Sequence, residues 1–270
     1  PPLPRYLKST DHITFTVSDH VARITLNRPE KRNSLSNDML RELHQVFHLI
    51  ETDAAIRAVL ITGAGRGFCA GQDLNVRQGN PSEKGELVRK SLNDNFNPLI
   101  RRIHHLKKPV VAAVNGIAAG AGANLALTCD IVIAAESAGF LQAFVNIGLI
   151  PDCGGTFYLP RLVGSARAKA MALLGEKISA AQAAQWGLIW KVLPNDQFLA
   201  EARSLAKRLA SGPSVALGLI KQALDVSVNH DLDQQLDWER DAQGLAAVSI
   251  DFSEGVTAFL EKRPAKFIGK

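Results

Sequence analysis

Asp152 is the residue with the clearest capacity for chemistry, because it ends an apolar run and is followed closely by Gly154 and Gly155. A carboxylic acid at the edge of an apolar pocket is desolvated, so it can exchange protons near neutral pH. Apolar side chains that could form such a pocket precede it at Phe140, Leu141, Phe144, Val145, Ile147 and Leu149. An aspartate between proline and glycine is equally typical of a turn or a helix N-cap. The residues alone leave both interpretations open.

Two segments, 60–74 and 111–127, share one design: a strand of buried type, a turn rich in glycine and alanine, and the start of a helix. Small residues let a ligand approach the backbone, and a helix N-terminus presents N–H groups that have no partner inside the helix. Two such turns could aim one N–H each at the same oxygen and form an oxyanion hole. The same residues would also permit close packing of a helix on a sheet.

Two cofactor motifs are only partly matched. Gly65-x-Gly67-x-x-Ala70 resembles part of the dinucleotide fingerprint, but the acid expected about 20 residues later would be Glu86, in a polar stretch rather than at a strand end. His44 and His48 are spaced like zinc ligands but lack the accompanying glutamate. The three cysteines have no metal-ligand spacing and are best interpreted as buried, reduced thiols. We therefore predict no bound metal or cofactor.

The elements that must position Asp152 and the two turns alternate between strand and helix. We predict a hairpin over 12–28, then a helix capped by Ser34 or Ser36. Buried strands are predicted at 57–62, 110–114 and 131–135, and helices at about 87–106, 165–174 and 180–186. The polar residues 75–90 are predicted to form a mobile surface loop. Four helices follow, at 197–211, 214–228, 231–248 and 251–262. We expect an α/β core over 1–196 and a helical region over 197–270.

Composition excludes several classes of function. The chain has 270 residues, 46% apolar and 21% charged, with a formal net charge of +5. This charge is modest and no basic run is interleaved with aromatic residues, so we expect no nucleic-acid partner. No apolar run reaches the roughly 18 residues of a membrane span, and the first residues lack the apolar stretch of a signal peptide. We therefore expect a cytoplasmic protein that does not bind membranes.

Five segments, in order, resemble the crotonase, or enoyl-CoA hydratase/isomerase, superfamily. They are NRPEKRNSLS (27–36), GRGFCAGQDL (65–74), KPVVAAVNGIAAGAGANLALTCDIVIA (108–134), IGLIPDCGGTFYLPRLVG (147–164) and SAAQAAQWGLIWKVL (179–193). The resemblance implies a fold of repeated ββα units, of the kind also found in ClpP, with a C-terminal helical region that forms trimers. Such trimers commonly pair into hexamers. It also implies an acyl-CoA thioester as substrate, so coenzyme A would enter as part of the substrate.

The resemblance also implies roles for particular residues. The two oxyanion-hole N–H groups would belong to Gln72 and Ala121, and Ala121 stands where many members have glycine. The residues implied in coenzyme A binding are Lys31, Arg32, Ala70, Asp73, Leu74, Asn75, Phe259 and Lys262. The last two of these would act near or across a subunit boundary.

Two departures from the superfamily pattern predict the reaction. Hydratases carry two glutamates at positions that read Asn124 and Phe144 here, and neither side chain can carry a proton. We expect both to lie at the acyl pocket. Asp152 occupies the position where several isomerases of the superfamily keep their only acid. The predicted activity is isomerisation of an acyl-CoA. It would convert the ring 1,2-epoxide of phenylacetyl-CoA to an oxepin in phenylacetate degradation, and 3-enoyl-CoA to 2-enoyl-CoA.

Other functions remain as alternatives. Asp152 could serve a hydratase, a thioesterase or a dehalogenase, although a dehalogenase would also need a histidine base such as His104 or His105. A relative that binds acyl-CoA or RNA without catalysis is a second alternative, which the modest charge and the intact acid disfavour.

Overall fold

The computed structural model describes residues 12–73 and 81–270, with the side chains of 81 and 82 excepted. Within these residues the larger sheet has six strands in the order β1-β2-β3-β5-β7-β10, and the smaller sheet has four in the order β4-β6-β8-β9. The strands are β1 (Ile13–Ser18), β2 (Val21–Leu26), β3 (Ala58–Gly63), β4 (Gly67–Cys69), β5 (Val110–Val114), β6 (Ile117–Ala119), β7 (Ile131–Ala135), β8 (Gly139–Leu141), β9 (Lys177–Ser179) and β10 (Lys191–Leu193).

The helices of the described residues lie between and after these strands. They are α1 (Asn37–Thr52), α2 (Pro81–Ser91), α3 (Asn97–His105), α4 (Ala121–Leu127), α5 (Gly155–Leu174), α6 (Ala180–Gln185), α7 (Phe198–Ala210), α8 (Ser214–Ser227), α9 (Leu232–Ala247) and α10 (Ile250–Leu260). A π-helical turn over Leu92–Phe96 joins α2 to α3. Within the described part of the chain, no helix is long and apolar enough to cross a membrane.

A repeated unit of two strands and a helix generates the two sheets. In each of the pairs β3–β4, β5–β6 and β7–β8, the first strand joins the larger sheet and the second joins the smaller one. The strands β3, β5 and β7 pair in parallel and are almost entirely buried. Parallel strands covered on both faces read as continuous apolar runs, which is why the sequence predicts these three. The ββα repeat implied by the sequence resemblance is thus confirmed.

Most of the predicted elements are confirmed. The hairpin is β1–β2, which is antiparallel, and Ser36 caps α1 by accepting a hydrogen bond from the Met39 N–H. The prediction of a loop over residues 75–90 is wrong for 81–90, which belong to α2. The predicted helix at 165–174 begins earlier, at Gly155, because a turn with positive φ at Gly164 joins two helical segments.

The C-terminal region is helical as predicted, but its helices divide into two kinds. Helix α7 lies on the large sheet and buries Phe198, Ala202, Ala206 and Ala210 in the main core. Helices α8–α10 extend beyond this core and expose large apolar side chains, including Leu224 and Val248. The boundary expected at residue 197, between the α/β core and the helical region, would therefore assign α7 to a different region from the sheet that it covers.

Asn33 joins the turn after β2 to the connection between β3 and β4. Its side chain is fully buried, and its Nδ2 donates to Ala64 O at 2.9 Å and to Gly67 O at 2.8 Å. Its Oδ1 accepts from the Arg28 N–H at 2.8 Å. These three bonds place the segment that follows β4, which carries Gln72.

Replacement Asn33→Ala should lower the free energy of unfolding by about 3 kcal/mol, because buried backbone groups lose their partners. Urea denaturation followed by circular dichroism measures the change. The matched control is Asn195→Ala, which removes exposed hydrogen bonds to Ser137 and should cost less than about 0.5 kcal/mol. Equal losses in both variants would contradict the role given to Asn33.

Candidate active site

The first glycine-rich turn follows β4 and places Gln72 beside Leu35. Leu35 N–H donates to Gly71 O at 2.8 Å, and Asp73 N–H donates to Leu35 O at 3.0 Å. These two bonds flank Gln72 in a short parallel bridge. In such a bridge the N–H of the central residue points away from the neighbouring strand. The Gln72 N–H is therefore directed to the side opposite Leu35.

The second turn leads from β6 into α4. Gly120 has φ 52° and ψ −127°, a combination that a residue with a side chain rarely adopts. Its N–H donates to Leu141 O at 2.8 Å. Ala121 is the first residue of α4, so its N–H has no acceptor within the helix and points along the helix axis. The turn thus presents the Ala121 N–H at the end of the small sheet.

The two turns pack against each other with almost no space between them. A Cβ atom on Gly71 would lie 3.0 Å from Ala119 O and 3.6 Å from Ala121 N. A Cβ on Gly122 would collide with the Cys69 carbonyl oxygen and lie 2.6 Å from Cys69 Sγ. The structure therefore brings together the two turns that the sequence singled out. The small residues allow the turns to pack closely, and the same turns present backbone N–H groups, so the two interpretations do not exclude each other.

Phe144 lies over the second turn. Its side chain is buried, and its ring atoms are 3.7 Å and 3.8 Å from the position of a Cβ on Gly120. An aromatic ring therefore packs over the turn that leads to Ala121, and the expected place of Phe144 at the acyl pocket stays a prediction.

Asp152 lies in an extended turn before α5, and its backbone is held from two sides. Its carbonyl oxygen accepts from Asn124 Nδ2 at 2.7 Å and from the Gly155 N–H at 2.9 Å. Asn124 has no exposed surface, and its Oδ1 accepts from Gln142 Nε2 at 2.8 Å. Both polar atoms of Asn124 are therefore engaged in the interior, and its expected place at the acyl pocket stays a prediction.

Two buried thiols fill the space between Asp152 and the first turn. The Cys153 thiol hydrogen-bonds the Asp152 side chain, and burial with the nearby Asp152 charge raises the pKa of Cys153. Burial raises the pKa of Cys69 to about 12, although a hydrogen bond from the Gly71 backbone partly opposes this rise. All three cysteines are free and buried, as predicted. At neutral pH these thiols are uncharged packing groups rather than nucleophiles.

A cavity of about 700 Å³ opens beside Gln72. Ile147 and Leu149 line one side, as expected for the pocket before Asp152, and the other side is lined by α2 and the π-helical turn after it. A cavity of this size, with apolar walls and a few polar groups, is typical of a small-molecule site.

The residues predicted to bind coenzyme A fall into two groups. Lys31 and Arg32 are exposed, and the Arg32 carbonyl accepts from the Ala70 N–H at 3.0 Å, while Asp73 forms an ion pair with Arg28. This first group lies beside the Gln72 turn. Leu74 and Asn75 lie outside the described residues.

The second group lies on the C-terminal helices. Phe259 is 82% exposed on α10, and it lines a separate cavity of about 420 Å³. Lys262 follows the end of α10 with φ 54°. Neither residue is among those that line the cavity beside Gln72.

Sequence reasoning missed two features of this site. Gln142 gave no signal because it sits in a short apolar segment and acts through a residue 18 positions away. The first part of α2, residues 81–86, was missed because the helix is polar, has glycine at Gly85 and lacks an apolar stripe, whereas its last residues fall in the helix predicted from about residue 87. Cys153 could have been noticed, since it directly follows Asp152. The described residues contain no group of three or more His, Cys, Asp or Glu that could hold a metal ion.

Comparisons with known proteins agree with this geometry. A family model described as enoyl-CoA hydratase/isomerase matches residues 16–270. The 1,2-epoxyphenylacetyl-CoA isomerase of Escherichia coli is 52% identical over 260 residues, covering 96% of this chain and 99% of that protein. A protein described as a probable enoyl-CoA hydratase of Rhodobacter capsulatus is 48% identical over 258 residues, covering 96% of this chain and 98% of that protein.

Solved structures match as well. The enoyl-CoA hydratase from Bacillus anthracis has a TM-score of 0.90 and 38% identity, covering 96% of this chain and 100% of that one. The fold implied by the sequence resemblance is therefore confirmed over nearly the whole chain.

The contact between the turns predicts the effect of adding a single methyl group. Gly122→Ala should lower the free energy of unfolding by about 1–3 kcal/mol, because the methyl collides with the backbone of Cys69. Gly244→Ala is the matched control, since a Cβ there meets nothing within 4 Å in α9 and should stabilise that helix by up to about 1 kcal/mol. Urea denaturation distinguishes them, and two shifts of the same sign would contradict the packing described.

Proposed function

Because the chain belongs to the enoyl-CoA hydratase/isomerase family, we propose that it is an acyl-CoA isomerase that converts ring-1,2-epoxyphenylacetyl-CoA to oxepin-CoA. It also converts 3-enoyl-CoA to 2-enoyl-CoA. The observation that carries this proposal is the pattern of acids. The Asp152 backbone is bonded to Asn124 on α4, the helix that begins at Ala121, while the positions where the resemblance places the hydratase glutamates hold Asn124 and Phe144. The match to the Escherichia coli isomerase supports the ring-epoxide substrate.

The Gln72 and Ala121 N–H groups form the oxyanion hole in this proposal. The thioester oxygen lies between them and accepts a hydrogen bond from each while negative charge builds on it as the enolate forms. A preorganised donor of this kind lowers the barrier by about 3–4 kcal/mol. The close packing of Gly71 against Ala121 supports the assignment, because it brings the two turns to one place.

Asp152 moves the proton. With a 3-enoyl-CoA, its carboxylate takes a proton from carbon 2, the charge spreads over the enolate, and the same proton returns to carbon 4. The double bond then lies between carbons 2 and 3, conjugated with the thioester. One carboxylate performs both transfers because the reaction consumes no water. With the ring epoxide, enolate stabilisation and an acid or base near the ring assist the rearrangement, and Phe144 offers an apolar wall for the aromatic acyl group.

Hydration is the main competing function, since several similar proteins, including those of Rhodobacter capsulatus and Bacillus anthracis, are described as hydratases. Adding water requires a base for the water and an acid for carbon 2. Phe144 has no titratable group, and both polar atoms of Asn124 are engaged by Gln142 and Asp152. The chain therefore lacks the second proton carrier that hydration needs at these positions.

Coenzyme A binding is proposed at Lys31, Arg32, Ala70, Asp73, Leu74 and Asn75, with Phe259 and Lys262 supplied by a neighbouring subunit. The cations at Lys31 and Arg32 suit the phosphates of the coenzyme. The exposure of Phe259, away from the cavity beside Gln72, supports a contribution across subunits.

We further propose that the protein forms a trimer and that trimers pair into a hexamer. We also propose a cytoplasmic location, which the free thiols support.

The role of Asp152 is tested by Asp152→Asn, which keeps the shape of the side chain and removes its proton transfer. Turnover of 3-hexenoyl-CoA, followed by the absorbance of the conjugated product, should fall by about 10²–10⁴-fold. Turnover at the native rate would contradict the role assigned to Asp152.

A second measurement compares two reactions of the native protein. It should hydrate crotonyl-CoA far more slowly than it isomerises 3-hexenoyl-CoA, and comparable rates would instead favour a hydratase.

The oligomer is tested by sedimentation velocity. The native chain should sediment as a trimer or hexamer, because Leu224, Val248, Phe259 and Leu260 expose large apolar surfaces on the C-terminal helices. Leu260→Asp should shift the protein toward a single folded chain. Leu199→Asp changes a comparably apolar residue on α7 and should leave the oligomer intact. A native protein that sediments as one chain would contradict the proposal.

A further inference from the structure

We propose that Asn124 is a positioning residue that holds Asp152 in place through its backbone, and that Gln142 fixes the orientation of the Asn124 amide. The inference rests on the proposed function of Asp152 as the proton carrier. It gives a role to Asn124, which stands at the position of a hydratase glutamate, and it includes Gln142 in the hydrogen bonds that lead to Asp152.

Asn124 holds Asp152 through the backbone carbonyl of Asp152. This carbonyl accepts from Asn124 Nδ2 at 2.7 Å and from the Gly155 N–H at 2.9 Å. The first donor comes from α4 and the second from the start of α5. Two donors on one oxygen, from two different helices, fix the peptide plane that follows the Asp152 side chain.

This segment needs an external anchor because its own conformation is unfavourable. Cys153 has φ 51° and Gly154 has φ 81°, so two successive residues are left-handed. For Cys153, which has a side chain, this region is sparsely populated and persists only where the surroundings enforce it. Without the bond from Asn124, the turn would relax and the Asp152 carboxylate would move with it.

The Asn124 amide can point only one way. Gln142 Nε2 donates to Asn124 Oδ1 at 2.8 Å, and Gln142 is 1% exposed. Rotating the Asn124 amide by half a turn would set its oxygen against the Asp152 carbonyl and its NH₂ against the Gln142 NH₂. Both contacts would be repulsive between such buried groups, so donation runs from Gln142 through Asn124 to Asp152.

Gly155 provides the space for this contact. A Cβ on Gly155 would collide with Asn124 Nδ2 and lie 2.9 Å from its Cγ. The second glycine of the Asp152 motif is therefore required by the approach of Asn124, and the motif and the asparagine depend on each other.

The first experiment is a double-mutant cycle between Asn124→Ala and Asp152→Asn, assayed with 3-hexenoyl-CoA. Asn124→Ala alone should lower kcat by about 10- to 100-fold, since a misplacement of 1 Å can cost 10²-fold, while KM stays within about threefold. In the Asp152→Asn background, Asn124→Ala should cost almost nothing further, because residues that act as a unit are not additive. Thr128→Val, which removes a buried hydroxyl from the end of the same helix, should keep native kcat.

The second experiment uses Gln142→Glu, which adds a pH readout. At low pH the buried glutamic acid is protonated and can donate to Asn124 as the amide did. As pH rises and it ionises, a carboxylate faces the Asn124 oxygen and the donation is lost. The kcat of this variant should therefore fall with rising pH by about 10-fold relative to the native profile over the same range.

The outcomes separate the inference from the proposed function. If Asp152→Asn retains turnover, the proposed function fails. If Asp152→Asn is inactive but Asn124→Ala keeps native kcat, only the positioning role is overturned. Three further results would overturn the positioning role. The losses of kcat in the double variant could be additive, or Thr128→Val could lose as much kcat as Asn124→Ala. The third is a pH profile of Gln142→Glu that runs parallel to the native one.

Discussion

The contact between two backbone turns is the constraint on which the rest of the site depends. Gly71 and Gly122 approach Ala119 and Cys69 so closely that any side chain on either glycine would force the turns apart. The β4 turn carries Gln72 and the β6 turn carries Ala121, so the spacing of these two N–H groups is set by backbone packing. Flexible side chains take no part in it, which suits an oxyanion hole, because donors fixed before the reaction need no reorganisation during it.

Helix α4 links the position of the two turns to the position of Asp152. Ala121 begins the helix, and Asn124 lies one turn later and reaches the Asp152 carbonyl. All seven residues of α4 are buried, so the helix is held on every side and behaves as one rigid element. A single short helix thus carries both the proposed oxyanion-hole N–H of Ala121 and the amide that bonds the Asp152 carbonyl. The distance between the two functions is therefore set by helical geometry.

The sequence predicted the parts of the fold that have a strong local pattern. The strands β3, β5 and β7 are continuous apolar runs, and α1 has an apolar stripe with a serine cap, so their residues identify them directly. The smaller sheet is built from three-residue strands, which are too short to show a period. Helix α2 is polar and contains a glycine, so its first residues carry no local pattern, although the helix lines the cavity beside Gln72.

The active site was predictable to a similar, partial extent. The two glycine turns and Asp152 could be singled out because each is a local motif, but the residues alone left their roles open, and the resemblance to the superfamily favoured the catalytic interpretation. The link from Gln142 through Asn124 to Asp152 was not recognisable, because it joins positions 18 and 28 residues apart and neither pair has a sequence signature. The tertiary structure alone brings these three residues together.

The same scaffold can support different reactions because the oxyanion hole and the proton carrier are separate parts. A hydratase needs two carriers, and one of them occupies the α4 position that holds Asn124 here. An asparagine there cannot exchange protons, but its amide can donate a hydrogen bond that a carboxylate cannot. In the proposed mechanism an asparagine at this position therefore removes one acid and supports another, Asp152, whose carbonyl it bonds. If Asp152 is the isomerisation acid, as proposed, the loss of hydration and the placement of that acid have one physical cause, the exchange of a carboxylate for an amide on α4.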